Sequence, residues 1–139
     1  MLDYKFEHCD SYYQCYLKYG TMTFYGEARC HPEDEDMKSE RTGYFIAECR
    51  ANLQLMRWRR DYEIMPMVKE YKHLYNSLAQ SPKFDKESCA AKAILREWKK
   101  WERELEATRE DIKNEKNYLR NYIIEKDKLH NKIRKGKNS

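Results

Sequence analysis

The residues best suited to chemistry lie together in the segment GEARCHPEDED, residues 26–36. Cys30 and His31 are adjacent, Pro32 follows, and residues 33–36 are four acids in a row. A thiol beside an imidazole suggests either a zinc site or a cysteine nucleophile with its base. A run of acids suggests a calcium loop. Each of these sites requires its own spacing of residues.

The spacing fits none of the three sites well. Zinc ligands usually come in pairs about two to four residues apart, and adjacent residues on a strand point to opposite faces. A metal shared with His8 and Cys49 is the alternative that the spacing leaves open. The acidic run lacks the central glycine of an EF-hand, and the chain contains no phosphate-binding or dinucleotide-binding glycine pattern. We therefore predict that Cys30 ends a strand, that His31-Pro32 turns the chain, and that there is no catalytic residue, metal or cofactor.

The composition favours a single domain built mainly from long helices. The chain has 139 residues, of which 37% are charged, with four glycines and three prolines. We assign one domain, 1–139, with strands in 1–30, helices in 38–80 and a long helix in 86–135. Five cysteines, no signal peptide and no apolar run of membrane-spanning length predict free thiols in a reducing cytoplasm.

The first 30 residues alternate with a period of two, which is typical of antiparallel strands. The predicted second and third strands each have one apolar face. That of the second strand carries Tyr13, Cys15, Leu17 and Tyr19, and that of the third carries Met22, Phe24, Gly26 and Ala28. Turns are predicted at HCDS and KYGT. Such a small sheet needs a helix to cover one face.

From Lys38 the apolar residues recur at steps of three and four, as in helices. One stripe contains Ile46, Cys49, Leu53 and Met56, and a second contains Met67, Tyr71, Leu74 and Leu78. We expect Pro66 to interrupt or restart the helix between these stripes. The loop AQSPKFD follows, and Ser81 or Asp85 is expected to cap the next helix.

The last helix carries a heptad seam sustained for about six repeats. It runs through Ala91, Ile94, Trp98, Trp101, Leu105, Thr108, Ile112, Glu115, Leu119, Tyr122, Lys126, Leu129 and Ile133. A helix of this length, about 75 Å, exceeds what the rest of the chain is expected to cover. We therefore predict a coiled coil and a homodimer or higher oligomer, with an interface formed by Trp98, Trp101, Leu105, Ile112, Leu119, Tyr122 and Leu129.

Basic and aromatic residues on the first helix suggest a binding site. Arg50 and Arg57 are seven residues apart and therefore share a helix face. Guanidinium groups beside an aromatic ring suit phosphate and base recognition, so Arg50, Arg57 and Tyr44 are the predicted ligand-binding residues. The alternative is that both arginines pair with surface acids. The lysine-rich tail suits either nucleic-acid contact or a solvated helix end.

The segment from about residue 20 to residue 57 resembles a group of small phage-encoded proteins. Their pattern is Gly-x-Ala-x-Cys-His-Pro-x-Asp, an acidic spacer, a glycine, and Ala-x-x-Arg-Ala on a helix. The matching residues here are Gly26, Ala28, Cys30, His31, Pro32, Asp34, Gly43, Ala47, Arg50 and Ala51. The resemblance implies a phage origin and therefore the cytoplasm of an infected host bacterium.

The predicted α+β layout is also similar to that of the Thoeris anti-defence sponges, although the long heptad helix departs from their compact form. That resemblance implies a non-enzymatic protein that sequesters a cyclic, ADP-ribose-type signalling nucleotide. Two alternatives stay open. One is an inhibitor of the anti-CRISPR type that binds a nuclease or nucleic acid, and the other is a phage assembly protein. The expected partners are a second copy, a small cyclic nucleotide or a host defence protein, with no membrane.

Overall fold

The computed structural model describes residues 2–9, 12–29 and 40–137. Three strands come first: β1 (Asp3–Cys9), β2 (Tyr12–Tyr19) and β3 (Met22–Arg29). The helices are α1 (Glu40–Trp58), a π-helical segment (Arg59–Ile64), α2 (Met65–Ala79) and α3 (Cys89–Lys137). The predicted α+β fold, with an N-terminal antiparallel sheet and a long C-terminal helix, is confirmed.

The three strands form an antiparallel meander in the order β1-β2-β3. Tyr13, Cys15 and Leu17 pair with Ala28, Gly26 and Phe24, and these six residues are buried. The alternation predicted from the sequence is thus confirmed, because a period of two places every second residue on one face. The turn between β2 and β3 uses Gly20 at φ 61°, a left-handed conformation that favours glycine. The predicted first turn includes residues 10 and 11, which lie outside the described residues.

Helix α1 covers the buried face of the sheet at very short range. A Cβ atom on Gly26 would lie 2.0 Å from the carbonyl oxygen of Ala47 and 2.4 Å from the backbone nitrogen of Ala51. Both alanines are completely buried. Small residues on both elements therefore allow the backbones of β3 and α1 to approach each other directly.

Within the predicted single domain the chain forms two compact units. The first unit contains residues 1–55 and 112–139, and the second contains residues 56–111. Helices α1 and α3 each contribute to both units. The sheet lies in the first unit, and the π-helical segment and α2 lie in the second.

Pro66 lies where the α-helical pattern is interrupted and restarts, as the sequence predicted. The backbone continues from α1 through the π-helical segment into α2, and Pro66 is in the first turn of α2. Proline has no N–H and clashes with the carbonyl four residues earlier, so the regular hydrogen-bond pattern cannot continue through it. The wider π-helical turn lies directly before this position, which is a common way to accommodate such a break.

The residue that caps α3 differs from the prediction. The backbone N–H of Ala91 donates to Ser88 Oγ at 3.2 Å, so the cap is Ser88 and the helix begins at Cys89. Asp85 Oδ1 accepts instead from the N–H of Glu87 at 2.9 Å, in the preceding turn. Ser81 Oγ accepts from the N–H of Lys83 at 3.4 Å. Both predicted caps thus stabilise the loop.

Candidate functional site

Two of the predicted ligand-binding residues, Arg50 and Tyr44, contact different strands of the sheet. Arg50 is exposed, and its Nη1 donates to the main-chain oxygen of Glu27 on β3 at 2.6 Å. Tyr44 is half-buried, and its ring makes edge contacts with Phe6 at 5.4 Å and with Tyr13 at 5.1 Å. Arg50 therefore contacts the β3 side of the sheet, while Tyr44 contacts β1 and β2. Arg57, which is half-buried, belongs to the other compact unit.

The seam residues of the second unit pack within their own chain. Trp98 Nε1 donates to Glu102 Oε1 at 2.8 Å, and the Trp98 ring lies 5.8 Å from Tyr75 of α2. Leu105 is buried. Trp101 is half-buried, and its Nε1 has no hydrogen-bond partner among the described residues.

The seam residues of the first unit are also covered by their own chain, mainly by α1. Ile112 and Leu119 are buried, and the ring of Tyr122 lies 4.4 Å from that of Phe45. Helix α1 thus supplies apolar partners to the seam as far as Tyr122, and cover of the remaining seam by a second copy stays a prediction. Of the predicted interface residues, Leu129 is the one that is 53% exposed.

The cysteines of the described residues offer little reactivity in the core. Burial raises the pKa of Cys15 to about 11. Burial, followed by a hydrogen bond with the Glu115 carboxylate, raises the pKa of Cys49 to about 12. A thiol with a raised pKa is a poor nucleophile at neutral pH. Cys9 and Cys89 are exposed.

The predicted turn at Cys30 and His31 lies outside the described residues, as does the acidic run that follows. Within residues 2–9, 12–29 and 40–137 there is no cluster of three or more side chains suited to a metal ion. The prediction that the protein has no metal therefore stays a prediction.

The side of the sheet opposite α1 carries the most organised group of polar and aromatic side chains. We call this side the outer face. It is formed by alternate residues of the three strands, namely Asp3, Lys5, Glu7, Cys9, Tyr12, Gln14, Tyr16, Lys18, Thr23, Tyr25, Glu27 and Arg29. Helix α1 packs on the other side, and these side chains are exposed or half-buried.

A hydrogen-bond network fixes the centre of the outer face. The Tyr25 hydroxyl donates to Glu27 Oε2 at 2.6 Å and accepts from Gln14 Nε2 at 3.1 Å. Arg29 Nε donates to the other carboxylate oxygen, Glu27 Oε1, at 3.0 Å. These hydrogen bonds, first that from Tyr25, lower the pKa of the Glu27 carboxyl, and the same bond raises the pKa of Tyr25.

Aromatic rings flank this network on both sides. The Tyr16 ring lies 5.2 Å from that of Tyr25, its cross-strand neighbour. The Arg29 guanidinium lies 4.5 Å from the centre of the Tyr12 ring, in a cation–π contact. The rings are thus held in place while remaining accessible from solvent.

A depression of about 470 Å³ lies at one end of the outer face. Its lining includes the side chains of Lys5, Lys18 and Tyr16, with acids beside them. Lys5 also forms an ion pair with Glu7 at 3.2 Å. The depression can therefore offer both positive charge and an aromatic surface to a small molecule.

The sequence contained the signal for this face. Tyr12, Gln14, Tyr16 and Lys18 alternate with the buried residues of β2. Sequence reasoning assigned ligand binding to arginines on α1 because a helical spacing of seven is easier to recognise. The network of Gln14, Tyr25 and Glu27 depends on strand register, and register joins residues that are distant in sequence.

Comparison of this chain with protein-family models, curated proteins and solved structures found no match. In the part of the chain that the structure describes, no helix is both long and apolar enough to cross a membrane.

Proposed function

We propose that this protein acts by binding rather than by catalysis, and that the outer face of its sheet is the recognition surface. The observation that supports this most directly is the Tyr25 hydroxyl, held by both Gln14 and Glu27 on an exposed surface. A tyrosine fixed in this way presents a large amphipathic area and loses little conformational entropy on binding. Tyr16 and the Tyr12–Arg29 pair extend the same surface.

The charges of the outer face favour a protein partner. Lys5, Lys18 and Arg29 balance Asp3, Glu7 and Glu27. Binding to a nucleic acid depends on an excess of positive charge that neutralises phosphates, and this face has none. Tyrosine and arginine are instead enriched in the interfaces between proteins. Together with the resemblance to phage proteins, this favours the hypothesis of a host defence protein as the partner.

The partner is sought by affinity capture from host lysate, and its binding is then measured by calorimetry with the purified partner. Tyr16→Ala combined with Tyr25→Ala is expected to weaken binding at least tenfold, because central aromatic residues dominate interface energetics. Tyr62→Ala is the matched control, since Tyr62 is 69% exposed and lies in the other compact unit. A partner that binds the double variant as tightly as the unmodified protein would contradict the proposal.

A cyclic nucleotide is the second candidate, favoured by the depression beside Lys5 and Lys18. Its volume lies within the range of small-molecule sites, about 300–1,000 Å³. Two ammonium groups and the Tyr16 ring suit a phosphate and a base. Calorimetry against a panel of cyclic nucleotides tests this candidate. If the nucleotide binds in the depression, Lys18→Ala is expected to weaken binding. If the site lies on α1, as the sequence predicted, Arg57→Ala is expected to weaken binding instead.

A further inference from the structure

Strand β1 is an unusually open edge of the sheet. It pairs with β2 on one side, from Asp3 opposite Lys18 to Cys9 opposite Tyr12, in an unbroken register. It contains no proline, and all seven of its residues are exposed. Sheets usually protect an edge of this length with a proline, a bulge, a covering element or charged side chains, and of these β1 has only its charges, at Asp3, Lys5 and Glu7.

The opposite edge, β3, is protected where β1 is not. Arg50 donates to the main-chain oxygen of Glu27 and so occupies an outward-facing acceptor of β3. On the side that faces α1, Phe24 and Ala28 of β3 are 9% and 4% exposed. On the same side of β1, Tyr4 and Phe6 are 38% and 41% exposed. Helix α1 contacts the β1 rings only in part, through Tyr44 at Phe6 and Asn52 at the Tyr4 hydroxyl. Among the described residues the sheet therefore has one closed edge, at β3, and one edge, at β1, whose aromatic rings stay partly exposed.

We propose that β1 pairs antiparallel with β1 of a second copy of this chain, about a two-fold axis at Phe6. In this register Lys5 of each copy lies directly opposite Glu7 of the other, so two pairs of opposite charges form. Tyr4 lies opposite His8 on the α1 side of the sheet, and the two Phe6 rings meet on the axis.

The charge pattern selects this register over its neighbours. An axis at Lys5 or at Glu7 would place like charges opposite each other. An axis at Tyr4 would pair Asp3 with Lys5 but leave the C-terminal half of β1 unpaired. The axis at Phe6 is the one that combines opposite charges with the full length of β1.

Pairing of this kind joins two three-stranded sheets into one of six strands and covers the aromatic rings of β1. It makes the interface isologous, as in most dimers with two-fold symmetry. The interface lies at β1, whereas the sequence predicted an interface along α3. The inference does not rest on the ligand proposed for the outer face.

Disulfide formation tests the register. The axis at Phe6 places Asp3 opposite Cys9 of the other copy, on the outer face, within reach of a disulfide bond. Mild oxidation of Asp3→Cys, with Cys30 and Cys89 replaced by serine, is expected to yield a covalent dimer. Tyr4→Cys in the same background is the matched control, because residue 4 points to the opposite face and faces His8. Cross-linking of Asp3→Cys no greater than that of the control would overturn the proposal.

Charge reversal tests the interface in solution. Sedimentation at roughly 100 µM suits the micromolar dissociation constant expected of a small interface. Lys5→Glu is expected to raise the dissociation constant at least tenfold, and adding Glu7→Lys is expected to restore it. Circular dichroism verifies that both variants fold. A monomer for the unmodified protein, or a dimer indifferent to Lys5→Glu, would show that β1 is not the interface.

Discussion

Gly26→Ala is expected to destabilise the fold more than any other substitution of a described glycine by alanine. The added Cβ would lie 2.0 Å from the carbonyl oxygen of Ala47 and 2.4 Å from the nitrogen of Ala51. Both atoms belong to the backbone of α1, so neither can rotate away. To reach even 3.0 Å, β3 and α1 must separate by about 1 Å, and such a gap forfeits about a quarter to a half of each dispersion contact along the interface.

The separation would open the best-packed part of the first unit, because Cys15, Leu17, Ala47 and Ala51 are all 0% exposed. Overpacking typically costs about 1–3 kcal/mol, and a rigid backbone obstacle belongs at or above the top of that range. We therefore expect a loss of about 3 kcal/mol in the free energy of unfolding, or about 10 °C in Tm. Urea denaturation followed by circular dichroism measures it.

Alanine substitutions at two other glycines allow the loss of stability to be compared within the same protein. A Cβ on Gly43 would lie 2.2 Å from the ring of Tyr13, a side chain that can tilt at some cost. At Gly20 the Cβ would meet nothing within 4 Å, and the cost of about 1–2 kcal/mol would come from the left-handed φ of 61° alone. The expected order of destabilisation is Gly26→Ala, then Gly43→Ala, then Gly20→Ala. Ala47→Gly should not rescue Gly26→Ala, because the clash involves the carbonyl oxygen. If Gly26→Ala costs no more than Gly20→Ala, the close approach of β3 and α1 is refuted.

Three further predictions concern the core, the β3 edge and the seam. Burial raises the folded-state pKa of Cys15 and Cys49 from about 9 to about 11 and about 12, so the stabilisation from the two buried thiols should be fully present below pH 9. It should fall from about pH 9 to pH 11 for Cys15 and to pH 12 for Cys49, by at most about 1.4 kcal/mol per pH unit for each thiol; Cys49→Ala should reduce this slope in urea titrations. Arg50→Ala should lower the free energy of unfolding by about 1 kcal/mol through loss of a charge-assisted but exposed hydrogen bond, and an unchanged value would contradict its role at the β3 edge. Leu119→Asp should unfold the chain rather than only dissociate a dimer, because Leu119 is 7% exposed within one copy. Leu129→Asp should leave the thermal melt unchanged. If Leu129→Asp instead dissociates a dimer, the result would support the interface along α3.

The strands and helices were predictable because their periodicities are local properties of the sequence. The faces of β2 and β3 follow from a period of two, and α3 follows from its heptads. The partner of the α3 seam was not predictable, because apolar residues at a and d positions fit either a second chain or the chain's own helices. Ile112 and Leu119 show the second outcome, since they are buried within one copy. The role of Arg50 was also hidden, because its acceptor is a main-chain oxygen on β3.

Several residues of the segment 26–51, from which the sequence predicted a phage origin, help to pack a strand against a helix. Gly26 on β3 lies directly against Ala47 and Ala51 on α1, Ala28 is buried, and Arg50 donates to the main-chain oxygen of Glu27 on β3. That part of the motif therefore specifies how a strand and a helix approach each other.

If this is correct, folding and recognition can be separated by mutation. Tyr16→Ala with Tyr25→Ala removes one half-buried and one exposed ring from the outer face and should leave the free energy of unfolding within about 1 kcal/mol, since a cross-strand aromatic pair contributes about 0.2–1 kcal/mol. The same double variant should weaken partner binding at least tenfold. Ala51→Val should do the opposite, because Ala51 is 0% exposed against β3 and overpacking there is costly; any folded fraction, isolated by gel filtration, should bind the partner normally. Equal loss of binding and stability in both variants would show that recognition depends on the packing motif itself.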